Sequence, residues 1–156
     1  MAFKLSQRSL DRLEGVHPDL VAVVKRAIEV TTVDFGVTCG VRDLETQKVL
    51  VETGKSRTMN SKHLPQEDGY SHAVDLVAYQ EGSVCWDLSV YDELCDAIKT
   101  AAQELDVRIL WGAAWSEGNV GDYTSSAEDA LETYVRTRKE QGRVPFVDAP
   151  HYELME

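Results

Sequence analysis

The chain has no apolar run long enough to span a membrane, and it has little cysteine. Only three of its 156 residues are Cys, at positions 39, 85 and 95. Their number is odd and no two stand in a CxxC spacing, which argues against a disulfide framework and against a thiolate zinc site. Cys95 falls on the apolar stripe of an expected helix and reads as a buried structural thiol; a catalytic Cys–His pair is the weaker reading. Basic residues are also short, 16 Lys and Arg against 27 Asp and Glu, for a net charge of −11. That balance disfavours nucleic-acid phosphates and tight nonspecific adhesion to an anionic membrane or wall polymer. The opening residues Met1 to Arg8 turn polar at once, so no secretory signal peptide is expected. A protein made and kept in a cytoplasm, until another factor releases it, is the corresponding expectation. Internal repeats, low-complexity tracts and domain linkers are absent as well. The length suits a single domain, and a 43% apolar content suits a real core.

The order of elements follows from periodicity and punctuation. Ser6 opens a short helix that Gly15 ends. Pro18 opens a second, with Leu20, Val23, Val24, Ala27 and Ile28 on its buried face. Asp34 to Gly40 reads as a strand, with Phe35, Val37 and Cys39 on one side. Asp43 is placed to cap a helix through Glu52, closed by Gly54. Lys55 to Tyr70 has no period and reads as a loop. Ala73 to Tyr79 is a strand that puts Ala73, Asp75 and Val77 on one face. Leu88 to Leu105 is helical, Val107 to Trp111 is a short strand, and Pro145 to Leu154 returns as a final strand. Ala127 to Gln141 reads as a charged surface helix within an insertion over about 116–143. The sum is a single α+β domain, residues 1–156, with a mainly antiparallel sheet flanked by helices.

Chemistry concentrates in three short segments. Ser61-Lys62-His63, Ala73-Val74-Asp75 and the ending Asp148-Ala149-Pro150-His151-Tyr152-Glu153 carry two histidines and several acids. Imidazole nitrogen and carboxylate oxygen are the ligands a catalytic zinc prefers, and three of them leave a position for water. His63, Asp75 and His151 are therefore candidate ligands, with His72 as second choice. An acid near the last ligand could act as general base. On a regular strand Glu153 shares a face with His151, whereas Asp148 does so only if the chain turns at Ala149-Pro150. Spacing alone thus favours Glu153. Arg42, just after a strand, could bind a carboxylate or an oxyanion. Trp111 and Trp115 could wall a groove.

These segments resemble a known family. The run Ser61-Lys62-His63, Gly69, Ala73-Val74-Asp75 is similar to the SxHxxGxAxD signature of the zinc metallopeptidases that include D-alanyl-D-alanine carboxypeptidases and L-alanyl-D-glutamate endopeptidases. Gly40-Val41-Arg42 with Gln47, Arg57 to Ser61, Trp111 to Trp115 and Pro145 to Leu154 extend the likeness over about residues 30–155. The phage endolysins of that family are the nearest in pattern. The resemblance implies a hedgehog/DD-peptidase-like fold and a zinc ion held by His63, Asp75 and His151. It moves the base to Asp148 and leaves Glu153 second. It gives Arg42 a role in binding substrate or stabilising the transition state, and makes Arg57, Ser61, Trp111 and Trp115 substrate-binding candidates. Further implied are a peptidoglycan stem-peptide substrate and the L-Ala–D-Glu bond before the D-alanyl one; a monomer is expected, and charge and hydropathy speak against nucleic-acid and integral-membrane partners. Host cytoplasm before lysis is the implied location, with a holin opening the way to a thin wall. Two departures stand out. His63 and Asp75 are twelve positions apart, wider than the signature, so either residues 64–71 loop out or His72 replaces His63. And Gly112-Ala113-Ala114-Trp115 stands where the family often has Gly-Gly-Asp-Trp.

Overall fold

The computed structural model describes residues 3–56 and 58–155. Five helices begin at capping residues. Ser6 opens α1 (Gln7–Arg12), His17 opens α2 (Pro18–Val30), Asp43 opens α3 (Leu44–Glu52), Asp87 opens α4 (Leu88–Leu105), and Ser126 opens α5 (Ala127–Glu140). In each, the cap side chain accepts from a backbone N–H that the helix itself leaves orphaned. No helix among the described residues is long and apolar enough to cross a membrane. α5 is charged outside, but its inner face buries Ala127, Ala130, Leu131 and Tyr134. Its first N–H, on Ala127, donates to Asp96 of α4 at 2.9 Å. It is thereby built into the core.

The sheet is wholly antiparallel, with β1 (Asp34–Cys39), β2 (Ala73–Gln80), β5 (His151–Leu154) and β4 (Ile109–Trp111) in that spatial order. β2 is central. Its first half pairs with β5 and its second half with β3 (Ser83–Cys85). β3 is not foreseen in the sequence. It forms because Glu81 and Gly82, at φ 51° and 81°, make a two-residue turn of the left-handed kind that suits hairpins. Glu is an unusual occupant of that conformation, which is why the pattern gave no hairpin signal.

The two faces of the sheet divide the work. Val74, Leu76 and Ala78 of β2, Phe35 and Val37 of β1, and Tyr152 of β5 face the core with α2 and α4. Asp75, His151 and Glu153 fall on the opposite face. The last strand is shorter than expected. It begins only at His151, because residues 145–148 pair with no strand and the chain turns at Ala149-Pro150. Asp148 N–H donates to Gly112 O and Gly112 N–H to His151 O, both at 2.8 Å. A Cβ on Gly112 would run into the Asp148 carbonyl and the His151 side chain, so only glycine permits this approach.

Candidate metal centre and groove

Three strands deliver the centre. Asp75 on β2 stands opposite His151 of β5 on one side and opposite Cys39 of β1 on the other. Cys39 reaches this face because the register slips between Val37 and Cys39. The extra residue, Thr38, hydrogen-bonds from Oγ1 to the Asp75 carbonyl at 3.2 Å. This bulge turns Cys39 away from the side that simple alternation with Phe35 and Val37 assigns to it.

His63 arrives from the loop before β2. His72 N–H donates to the Lys62 carbonyl at 2.8 Å, which closes the neck of an excursion over residues 63–71. Within it Pro65 bridges Ser71, and Gln66 N–H donates to Tyr70 O at 2.9 Å. The extra residues thus loop out, and His63 rather than His72 meets Asp75. Ser61 Oγ accepts from His63 N–H at 3.2 Å and helps fix the turn.

Atoms in the centre point inward. His63 Nδ1 donates to the Gly40 carbonyl at 2.8 Å, so its Nε2 is the bare nitrogen, 3.2 Å from Asp75 Oδ1. His151 Nε2 donates to Glu153 Oε1 at 2.8 Å, which leaves Nδ1 bare and 3.4 Å from the same Asp75 oxygen. His63 Nε2 and Asp75 Oδ1 are buried without any hydrogen-bond partner. Their separation is short, yet the angles make no hydrogen bond. Buried orphans of this kind call for an ion, and a carbonyl or carboxylate holding the far nitrogen is how metal-bound histidines are oriented. The donor set and its outer partners therefore fit a divalent metal. The liganding atoms of Asp75, Asp148 and His151 lie within 4.8 Å of one another, as do those of Cys39, His63 and Asp75.

Electrostatics agree with a site built for positive charge. Burial opposes charge on His63, but Asp75 and Cys39 outweigh it and raise the ring to about 10. Burial likewise opposes charge on His151, and Asp75 and Glu153 raise it to about 9. Asp75 is held far below the usual carboxylate range by the two rings in spite of its burial. A metal competes with protons for these two inward nitrogens, which are bare only in the neutral rings that a metal binds. Asp148 moves the other way: burial, then the nearby Asp75 charge, push its carboxyl up. Burial works against a Cys39 thiolate, but His63 and Arg42 outweigh it and lower the thiol.

Around the centre runs a groove of about 440 Å³. Arg42 sits at its edge, with one guanidinium nitrogen 3.5 Å from Asp75 Oδ2 and another donating to Gln47 Oε1 at 2.8 Å. The fully buried Gln47 amide then donates to Ser56 Oγ at 2.8 Å and to the Thr58 carbonyl at 2.5 Å. Trp115 stacks on Phe146, donates to its carbonyl at 3.0 Å, and lies with its ring 5.4 Å from that of His151. Trp111 is a correction: it is fully buried, donates to the Ala149 carbonyl at 2.8 Å, and supports the turn from the core without lining the groove. Arg57 lies outside the described residues. Ser61, Trp115, Asp148 and Glu153 all line the groove.

His72 joins a different cluster, with Nε2 2.7 Å from Asp68, while His17 Nε2 lies 3.8 Å from the same acid. There His17 Nδ1 accepts from Asp19 N–H at 3.0 Å and caps α2, and its Nε2 is too far from Asp68 for a hydrogen bond. Residues that sequence reasoning gave no role are Cys39, hidden by the bulge, and Phe146, visible only as part of the Pro145–Leu154 stretch. Gln47 was visible only as part of a motif.

Comparison with known proteins now bears on this geometry. Residues 1–155 match the model of the phage L-alanyl-D-glutamate peptidase family. The L-alanyl-D-glutamate peptidase of Escherichia phage T5 is 30% identical over 127 residues, 79% of this chain and 88% of that protein. The crystal structure of the Serratia marcescens L-Ala D-Glu endopeptidase ChiX superposes with a TM-score of 0.71 at 30% identity. It covers 99% of this chain and 91% of that one. With a family match over nearly its whole length, the chain belongs to the phage L-alanyl-D-glutamate peptidases.

Proposed function

We propose that this centre is a zinc peptidase site that hydrolyses the L-alanyl–D-glutamyl bond of the peptidoglycan stem peptide during host lysis. The observation that carries the reading is the pair of orphaned buried atoms, His63 Nε2 and Asp75 Oδ1, facing His151 Nδ1 at the floor of a groove. His63, Asp75 and His151 would hold the zinc and leave a fourth position for water. Zinc supplies Lewis-acid polarisation of the scissile carbonyl and acidifies the attacking water. Asp148, desolvated and raised in pKa, accepts the water proton and passes it to the leaving amine. Arg42, aimed by Gln47 and Asp75, presents its guanidinium to the oxyanion. Glu153 is a positioning residue that holds His151 Nε2–H, which removes it from the role of base. Trp115 and Phe146 form an aromatic wall, and Ser61 lines the groove beside His63. The enzyme acts as a monomer, and a holin gives it access to the wall from the host cytoplasm.

The test is digestion of purified peptidoglycan, with mass spectrometry of the products. Cleavage between L-alanine and D-glutamate, abolished by a chelator and restored by zinc, is expected. Asp148→Asn should retain zinc and lose roughly 10²- to 10⁴-fold in kcat. Chelator-insensitive cleavage, release of D-alanine alone, or an active Asp148→Asn variant would each overturn the reading.

A further inference from the structure

The groove is lined by side chains of both charges. Its acids, Asp75, Asp148 and Glu153, cluster at the metal centre. Its described cations are Arg42, Lys55 and Lys62. Arg42 is engaged by Gln47 and Asp75, and Lys62 has a partner of its own. Lys55 differs from both. Among the described residues its ammonium makes no hydrogen bond or ion pair, although acids outnumber bases 27 to 16 in this chain.

The backbone that carries Lys55 is nevertheless fixed. α3 ends through Gly54 at φ 78°, and Lys55 N–H and Ser56 N–H both donate to the Leu50 carbonyl, at 2.8 and 3.0 Å. On the other side the buried Gln47 amide grips Ser56 and Thr58. A pinned backbone, an unpaired cation and a groove-facing position together describe a binding residue awaiting an anion.

The substrate supplies one. A glutamyl residue has two carboxyl groups, and the onward peptide uses only one of them. The other is free, and it belongs to the residue whose nitrogen is the leaving group. We propose that Lys55 binds this free carboxylate and so selects a D-glutamyl residue on the leaving side of the cut. The inference rests on the peptidase reading above. A lysine suits the task as a point charge that follows a carboxylate without demanding one planar geometry.

The experiment compares two synthetic stem peptides that differ only in that group, one with the free carboxylate and one with its primary amide. Zinc-loaded wild-type protein should prefer the carboxylate peptide by roughly fivefold in kcat/KM, the scale of a solvent-accessible ion pair. In Lys55→Met that ratio should fall to near one through a rise in KM for the carboxylate peptide, and Lys55→Arg should restore most of it. Zinc content and circular dichroism check that the variants are folded. An undiminished preference in Lys55→Met overturns the inference while leaving the peptidase reading intact. Cleavage of neither peptide by the wild type overturns that reading and the inference with it.

Discussion

His63 and His72 stand nine positions apart and look alike in the sequence, yet they answer to different acids. His63 turns a bare Nε2 to Asp75, whereas His72 is bound to Asp68 on the other side of the loop. His63→Ala and His151→Ala should therefore each leave a folded protein with zinc content near zero after dialysis. His72→Ala should keep about one equivalent, since it removes no atom from the proposed three-ligand set. Metal analysis beside circular dichroism decides this, and a zinc-free His72→Ala with a fully loaded His63→Ala would reverse the assignment. At this scale the sequence was informative about what is ligand-like and silent about what orients it. The polar types and the short motifs around them mark His63, Asp75 and His151, although His63 and Asp75 stand wider apart than the signature. The Gly40 carbonyl on His63 Nδ1, the Glu153 carboxylate on His151 Nε2 and the Gln47 amide behind Arg42 are long-range contacts that no local pattern encodes.

Among the elements, helix boundaries followed the caps closely, because a cap is a local hydrogen bond written in one or two residues. Strands were less legible. Alternation put Cys39 with Phe35 and Val37, and only the bulge at Thr38 brings it to Asp75. Parity on a regular strand favoured Glu153 over Asp148, and the turn at Ala149-Pro150 sets that parity aside. α4 holds a further consequence. Asp92 is partly buried there with Oδ1 unpartnered. Burial first, then Glu128, Asp96, Glu132 and Asp87, raise its carboxyl to about 6. In the unfolded chain an aspartate titrates near ~3.9. Between those values the folded state binds the proton more tightly, so stability falls as pH rises from about 4 to about 6, and the full cost persists above. Asp92→Asn should flatten that slope and raise stability at pH 7 by about 1 kcal/mol after allowance for solvent screening. It should change little at pH 4. Thermal unfolding of both proteins across the pH range checks this, and a lower melting temperature for the variant at pH 7 would refute it.

For the whole molecule, the order of helices and strands pointed to the α+β class. The strand order was not readable, because it depends on pairings between segments far apart in the chain. The net charge of −11 has a direct physical effect, since like charges repel across the surface and salt screens them. The melting temperature should rise by a few degrees between about 10 mM and 150 mM sodium chloride, over which the Debye length falls from about 30 to 8 Å. A flat or falling response would show that attractive pairs such as Arg26–Glu104, at 2.6 Å, dominate instead.

The sheet order has one more implication, for the timing of synthesis. β5 lies between β2 and β4, yet it follows both of them in the chain. A growing polypeptide can form α1 through α5 and still have a gap in the middle of its sheet. It also lacks His151, opposite Asp75, until the ribosome has released residues 151–154. Vectorial translation thus works as a safety catch. Every fragment that stops short of that strand has an open sheet edge and lacks His151, so on the proposed ligand set the capacity to cut the wall should arrive with the closing strand.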